Sequence, residues 1–257
     1  NYFLKFANYY LMNYINNSDG QYYTFNNSSI LNLVIENLTG EINITGSSYV
    51  KNLVALMCGG ELNIEDNSFI KNLVITYETY IYLYDQVVVN NLFYISRNYP
   101  IQLFNYSAIV YARIISGYPK IYLNDYSSFG TLIFEYNEPT IELYNWSSIQ
   151  NLQLLNGYGY VYMYNFSSIQ NVKVYNDDSI FYLYDFASIQ NVEIEDSDVV
   201  MLLYNSAGIG TIVIKNSIVT IETYDSAYVN KVICYNSTVT IVGNVNQIEN
   251  NGCQIST

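Results

Sequence analysis

The segments IELYNWSSIQNLQLLNGYGY (141–160), VYMYNFSSIQNVKVYNDDSI (161–180) and FYLYDFASIQNVEIEDSDVV (181–200) follow one another without a linker. They are three copies of one pattern, whose period is 20 residues. Similar copies extend over 81–243, and before residue 81 the pattern persists in a register that is shifted by one residue. A repeat of this length that fills a chain predicts a stacked repeat architecture.

Each copy, numbered from position 1 at residues such as Ile141, contains two short strands and two corners. Positions 1 and 3 are apolar and alternate with positions that are mostly not aliphatic, which is typical of a half-buried strand. Positions 9, 12 and 14 are apolar again and predict a second strand with a kink near position 11. Turn-forming residues occupy positions 5 and 16, and small residues occupy positions 7 and 8. The predicted core includes Ile169, Val172, Val174, Ile189, Val192 and Ile194.

We therefore predict an all-β fold, a single-domain parallel β-solenoid (β-helix) of about thirteen 20-residue coils. The predicted domain covers 1–257, with a looser register over 1–80, regular coils over 81–243 and an irregular terminal coil over 244–257. Each coil buries its apolar side chains only against its neighbours, about 4.8 Å away. We expect a right-handed coil, because a 20-residue coil does not fit the six-residue repeat of left-handed hexapeptide helices.

Charge and composition exclude several function classes. The chain has 22 Asp and Glu against 9 Lys and Arg, and its net charge is −13. We expect no nucleic acid as a partner, because too few cations are present to replace the counterions of phosphates. No apolar run is long enough to span a bilayer, so we expect no membrane insertion. Because the chain has no His, the usual general base and a common metal ligand are missing, and we expect no enzyme activity, cofactor or metal.

The 20-residue coil, the aliphatic stacks and the Asn columns resemble those of the right-handed β-helices of filamentous-haemagglutinin-type adhesins and, more loosely, of viral spikes and fibres. The Asn-, Tyr- and Ile-rich composition is also similar to that of surface or virus proteins of thermoacidophilic archaea. The resemblance covers the whole chain as periodicity. It implies a β-helical fold and an extracellular setting, at a cell surface or a virion surface, and no particular ligand.

Position 5 is Asn or Asp in eight consecutive copies, from Asp85 to Asp225. Two carboxylates of this column, those of Asp185 and Asp225, are predicted to lie two coils or about 10 Å apart, whereas glycosidases use separations of about 5–9.5 Å. We interpret the column as a ladder of turn residues whose side chains point inward. Polysaccharide cleavage by these carboxylates is an alternative.

A second acidic group lies near one corner of two adjacent coils and comprises Asp177, Asp178, Glu193, Glu195, Asp196 and Asp198. Such oxygen ligands suit Ca²⁺, which takes six to eight of them. Because no calcium-loop motif accompanies the group, we favour a solvated acidic rim.

Two covalent modifications are predicted. Candidate glycosylation sites, each the first residue of an Asn-x-Ser/Thr triplet, are Asn16, Asn26, Asn27, Asn37, Asn43 and Asn236. Triplets that begin at position 5 are excluded, because an inward side chain leaves no room for an oligosaccharide. Cys234 and Cys253 occupy positions 14 and 13 of successive copies, and we predict a disulfide between them if the last coil bends. Cys58 has no predicted partner.

Aromatic residues recur at positions 2, 4 and 6, which face outward if positions 1 and 3 face inward. Identical rings one coil apart can stack on one another. If half of each ring is exposed, the rings present on the order of 1,000 Å², more than the 300–600 Å² of the largest patch on a typical monomer. We therefore predict a partner surface that comprises Tyr84, Phe104, Tyr106, Tyr126, Tyr144, Trp146, Tyr162, Tyr164, Phe166, Tyr182, Tyr184, Phe186, Tyr204 and Tyr224.

These observations predict a non-enzymatic extracellular structural or surface protein, a subunit of a filament, fibre or spike. Its expected partners are copies of itself, which associate through the outward aromatic residues. An adhesin or receptor-binding spike that stacks on cell-surface glycans is the alternative. A tailspike-like polysaccharide depolymerase is a second alternative.

Overall fold

The computed structural model of this protein describes residues 4–6, 13–16, 20–37, 39–56, 59–77, 79–95 and 98–257. The chain divides into two compact units, Asn1–Gly130 and Thr131–Thr257, which we call the first and the second unit. The regular structure of the described residues consists of β-strands, and none of these residues forms a helix long and apolar enough to cross a membrane. That the two units form one continuous domain stays a prediction.

The strands are short and follow one another closely. Those of the first unit are β1 (Leu4–Phe6), β2 (Asn13–Asn16), β3 (Tyr22–Asn26), β4 (Ser29–Glu36), β5 (Glu41–Thr45), β6 (Tyr49–Leu56), β7 (Glu61–Ile64), β8 (Phe69–Thr76), β9 (Tyr80–Leu83), β10 (Val88–Ile95), β11 (Pro100–Leu103), β12 (Ala108–Gly117) and β13 (Lys120–Leu123). The boundary between the units falls within β14 (Ser128–Asn137). Those of the second unit are β15 (Thr140–Leu143), β16 (Ser148–Leu155), β17 (Tyr158–Met163), β18 (Ser168–Tyr175), β19 (Asp178–Leu183), β20 (Ser188–Glu195), β21 (Asp198–Leu203), β22 (Gly208–Lys215), β23 (Ile218–Thr223), β24 (Tyr228–Tyr235), β25 (Thr238–Val242), β26 (Val245–Asn251) and β27 (Gln254–Ser256).

In each unit the strands form two parallel sheets. Odd-numbered strands pair in sequence order in what we call the odd-strand sheet, and even-numbered strands pair in the same way in the even-strand sheet. Every strand therefore pairs with the strand two positions further along the chain, which is the topology of a β-solenoid. The solenoid has about 12 turns of about 20 residues, so the predicted fold class is confirmed, and its handedness stays a prediction.

The strand register reproduces the irregularities of the repeat. In the regular coils, a residue pairs with its equivalent in the next copy, as Ile169 does with Ile189. Between β8 and β10 the offset is shorter by one, since Asn72 pairs with Asn91, which accounts for the residue lost between these copies. At the end of the second unit, Lys231 already pairs with Gln247, so the last coil is shorter than the regular coils.

The core consists of stacked aliphatic side chains from both sheets. Val172 and Val192 are 3% and 2% exposed, and the other four predicted core residues are 0–1% exposed. The even-numbered strands place two consecutive residues outward at positions 10 and 11, such as Gln170 and Asn171, before the inward alternation resumes. The predicted core and the kink near position 11 are therefore confirmed.

The Asn and Asp columns follow from the backbone at the two corners. At position 5, Asn145 and Asp185 have φ angles of 47° and 60°, and at position 16 Asn176 has a φ of 48°. Asn and Asp enter this left-handed region at a lower cost than other non-glycine residues. Asn145 and Asn205 are exposed, so the prediction that position 5 points inward is wrong. The left-handed turn ends the strand alternation on which that prediction depended.

Candidate functional site

The outward side of the odd-strand sheet in the second unit carries a continuous column of tyrosines at position 4. Five rings stack in the order Tyr144, Tyr164, Tyr184, Tyr204 and Tyr224. Neighbouring ring centroids are 4.9 to 5.2 Å apart, and the ring planes diverge by only 4° to 8°. The stacking follows from the parallel register, which places the same position of every coil directly beside its neighbour.

A second column stands at position 6, on the corner itself. Trp146 stacks on Phe166 with the centroids 4.3 Å apart, and Phe166 stacks on Phe186 at 4.9 Å. These rings are 52%, 44% and 57% exposed, respectively. Trp146 has a φ of 65°, a conformation that a bulky residue rarely adopts. The most exposed aromatic area of this sheet is therefore at its corner.

Position 2 adds a shorter column, with a carboxylate beside it. Tyr162 and Tyr182 stack with the centroids 4.8 Å apart. Glu142 occupies the same position on the preceding strand and accepts a hydrogen bond from the hydroxyl of Tyr144. In β23, Glu222 accepts one from Tyr224. We call the three columns of the second unit the aromatic surface: Tyr144, Trp146, Tyr162, Tyr164, Phe166, Tyr182, Tyr184, Phe186, Tyr204 and Tyr224.

The aromatic columns of the first unit are shorter. Tyr84 stacks on Phe104, and Tyr106 stacks on Tyr126, each pair with centroids 4.9 Å apart. In the coil after Phe104, position 4 is Asn124, so the column of rings at this position ends there. All fourteen residues predicted as a partner surface therefore lie on outward positions, but they form pairs in the first unit and longer columns in the second.

Stacking covers more of the rings than the sequence suggested. Apart from Tyr224, which is 40% exposed, the tyrosines of the aromatic surface are only half-buried rather than largely exposed. Burial raises the pKa of Tyr164 and Tyr184, so both hydroxyls are protonated at neutral pH. The assumption that half of every ring is accessible is wrong for position 4, and it fits position 6.

The even-strand sheet of the second unit carries a groove that the sequence reasoning missed. The groove has a volume of about 600 Å³, and its floor includes Asn151, Asn171 and Asn191. The Nδ2 of Asn171 donates to the Oδ1 of Asn151 at 3.0 Å, and Asn191 donates to Asn171 at 3.0 Å. Thr131 and Thr211 extend the line by one coil at each end. The signal in the sequence for this ladder is the recurrence of Asn at position 11 in three successive copies.

Charged side chains stand along one side of this groove. The Nζ of Lys215 donates to the Oε1 of Glu193 at 2.6 Å. This hydrogen bond lowers the pKa of Glu193 and raises that of Lys215. Lys173 also lines the groove and makes no hydrogen bond or ion pair among the described residues. We call this site, with its Asn ladder and these three charges, the polar groove.

The position-5 column is a hydrogen-bonded ladder. Asn105 Nδ2 donates to Asp85 Oδ1 at 2.9 Å, and Asn205 Nδ2 donates to Asp185 Oδ1 at 3.0 Å. Both of these carboxylates thus accept a hydrogen bond from the amide of the next coil. This arrangement accounts for the column through turn geometry and ladder hydrogen bonds.

The second acidic group is dispersed. Asp177 is only 3% exposed and accepts a hydrogen bond from Ser179 Oγ, whereas Asp178 Oδ1 accepts one from the backbone N–H of Asp198 at 3.2 Å. No cluster of three metal-ligating side chains occurs among the described residues. The interpretation as a solvated rim is wrong for Asp177, because its carboxylate lies beneath the corner, beside the backbone of Gly157 in the previous coil.

The candidate glycosylation sites differ in access. Asn16, Asn27 and Asn236 are exposed, and Asn26, Asn37 and Asn43 are half-buried. Asn43 lies within β5, and its Oδ1 accepts a hydrogen bond from Asn63 Nδ2 at 3.1 Å, which makes it a poor acceptor of a sugar. Occupancy at these sites stays a prediction.

A disulfide joins Cys234 of β24 to Cys253 near the end of the chain, with the two Cα atoms 6.2 Å apart. The shortened terminal coil brings the two residues together, as the prediction required. Cys58 lies outside the described residues.

The described residues thus present two sites on different sheets of the second unit, the aromatic surface and the polar groove. No protein-family model, curated protein or solved structure matches the chain.

Proposed function

We propose that this protein is a non-enzymatic structural or surface protein whose copies associate side by side through the aromatic surface. The observation that carries the proposal is the exposed position-6 column. Three stacked rings, those of Trp146, Phe166 and Phe186, stay 44–57% exposed although each contacts another ring. Stacking within the chain stabilises these rings, but it leaves their outer edges in water.

The exposed area of this column is large for a surface with no partner. At roughly 200 Å² for each aromatic side chain, the three rings expose about 300 Å². This alone reaches the size of the largest apolar patch on a typical soluble monomer. The half-buried tyrosines of position 4 extend the patch alongside. Aromatic side chains are also enriched in the energetic centres of protein interfaces.

A second copy of the same chain is the partner that fits best. The rings of each column repeat at the distance between coils, and a second copy carries the same repeat. Two such surfaces related by a two-fold axis can therefore match their rows over several coils. The net charge of −13 opposes this contact at low ionic strength, so added salt should strengthen association.

The proposed setting is extracellular, in a filament, fibre or spike. The disulfide between Cys234 and Cys253 supports an oxidising compartment. The resemblance of the repeat to adhesin and spike β-helices supports the same setting. Adhesion to glycans is supported by a different feature, the polar groove, and is developed below.

The test compares the parent protein with a variant in which Trp146, Phe166 and Phe186 are all replaced by Ser. We expect the parent to form dimers or larger assemblies that grow with protein and salt concentration in analytical ultracentrifugation. The triple variant should keep its circular dichroism spectrum, because the changes are on an exposed corner, and should associate at least tenfold more weakly.

A matched control replaces Tyr175 and Tyr235 by Ser. Both are 40% exposed, but they are on the even-strand sheet. The control should associate as the parent does. A parent that stays monomeric at every salt concentration, or a triple variant that associates as strongly as the parent, would contradict the proposal.

A further inference from the structure

The polar groove has the length and the volume to hold a ligand. Its floor extends from Thr131 to Thr211, which are four coil spacings or about 19 Å apart. Its volume of about 600 Å³ lies within the range of ligand-binding clefts. A site that spans five coils suits an extended ligand that lies across the strands.

The Asn ladder keeps hydrogen-bonding capacity that it does not use. A carboxamide has two N–H donors and an oxygen that accepts two hydrogen bonds. Asn171 uses one donor toward Asn151 and one acceptor position toward Asn191. One donor and one acceptor position are left for a ligand at this rung. Because the ladder already holds each amide in place, a ligand orders few side chains when it binds.

A hydroxyl group matches this pattern, since it donates and accepts at the same atom. Lys173, which makes no hydrogen bond or ion pair with the described part of the chain, adds a donor beside the ladder. A row of amides at regular intervals therefore favours a ligand with hydroxyls at regular intervals, which is the chemistry of a polysaccharide.

The spacing distinguishes a sugar chain from a peptide. The rungs follow the distance between coils, about 4.8 Å, whereas an extended peptide advances only about 3.2–3.4 Å for each residue and loses register within a few residues. A sugar unit in an extended linear glycan advances by about one coil spacing. Such a chain can repeat the same contact on each rung.

Charge favours an uncharged ligand. Glu193 is bound to Lys215 across the groove wall, and these two charges compensate each other. The net charge of −13 repels a polyanion, and the charge of Lys173, which has no ion-pair partner among the described residues, repels a polycation. We propose that the polar groove binds an uncharged linear polysaccharide along the Asn ladder, independently of the aromatic surface.

The test measures binding of soluble linear hexasaccharides of glucose, of mannose and of galacturonate by isothermal titration calorimetry. We expect at least one of the two neutral sugars to bind the parent, and more tightly than the acidic one. Asn171→Leu removes a rung and should weaken binding about tenfold or more, since it removes the hydrogen bonds of that amide. Lys173→Met, a change at an exposed position that keeps the side-chain length, should also weaken binding.

A matched control is Asn52→Leu. Asn52 stands in the corresponding ladder of the first unit, where it donates to Asn32 at 2.8 Å, and it is not part of the groove. This variant should bind as the parent does, with circular dichroism reporting the fold of every variant. The Trp146, Phe166 and Phe186 triple variant should also bind as the parent does, which separates this site from the assembly surface.

Several outcomes would overturn the inference. They are no binding of either neutral sugar to the parent, tighter binding of the galacturonate chain, or equal losses in Asn52→Leu and Asn171→Leu. Loss of sugar binding in the aromatic triple variant alone would move the glycan to the aromatic surface. A parent that binds the sugar but never self-associates would leave this inference standing and contradict only the proposed assembly.

Discussion

Replacement of the buried Asp177 by Asn should stabilise the protein at neutral pH and have almost no effect in acid. Burial raises the pKa of Asp177 from its usual value near 3.8 to about 6, against the opposing effect of hydrogen bonds from Ser179 and from the backbone of Gly157. A difference of about 2 pKa units corresponds to about 3 kcal/mol between the two protonation states. Above pH 6 the folded protein therefore carries a buried charge that costs about this amount.

The direction follows from proton binding. Between about pH 4 and pH 6 the folded protein binds the proton of Asp177 and the unfolded chain does not, so the free energy of unfolding falls as the pH rises. Asn has the shape of the protonated acid and no charge. Its Oδ1 can accept from the Gly157 N–H, and its Nδ2 can donate to the hydroxyl oxygen of Ser179. Asp177→Asn should thus gain about 3 kcal/mol near pH 7 and nearly nothing near pH 4.

The measurement is chemical denaturation of the parent and the variant near pH 4 and near pH 7, followed by circular dichroism. Asp198→Asn is the matched control, because it removes the same charge from an exposed residue whose carboxylate accepts no hydrogen bond among the described residues. It should change the free energy of unfolding by about 0.5 kcal/mol or less at either pH. If Asp177→Asn and the parent lose the same stability between the two pH values, Asp177 is not the buried titrating group described here.

Two further predictions test the core and the terminal coil. Val192→Asp places a charge where the parent residue is 2% exposed and should lower the free energy of unfolding by about 3 kcal/mol or more. The control Gln190→Asp, on the exposed side of the same strand, should change it little. Equal melting temperatures of the two variants would refute the register. Cys253→Ser removes a disulfide between residues with a sequence separation of 19, and the free energy of unfolding should fall by about 3 kcal/mol because the unfolded chain gains entropy. Hydrogen exchange over 244–257 should become faster. Unchanged exchange there would show that the disulfide does not hold the terminal coil.

The sequence alone determined the solenoid, its core and the outward position of the aromatic columns. In stacked coils the pattern of buried positions repeats with the same period as the sequence. The alternation of inward and outward side chains within a strand is a local property of the backbone. For this reason the burial of Val172 and Val192 could be predicted from one copy of the pattern. The residue lost between Asn72 and Asn91 was also visible, since a shift in the repeat must become a shift in strand register.

Only the tertiary structure decided what happens at the corners and between coils. Asn145 points outward because its left-handed φ ends the alternation of the strand, and alternation was the basis for the opposite prediction. Asp177 is buried because Gly157, in the neighbouring coil, leaves room for its carboxylate. The polar groove depends on the parallel register, which lines up equivalent side chains of successive coils, such as Asn151 and Asn171. Each of these features depends on a residue in another coil or on a backbone angle, which the pattern within one copy does not contain.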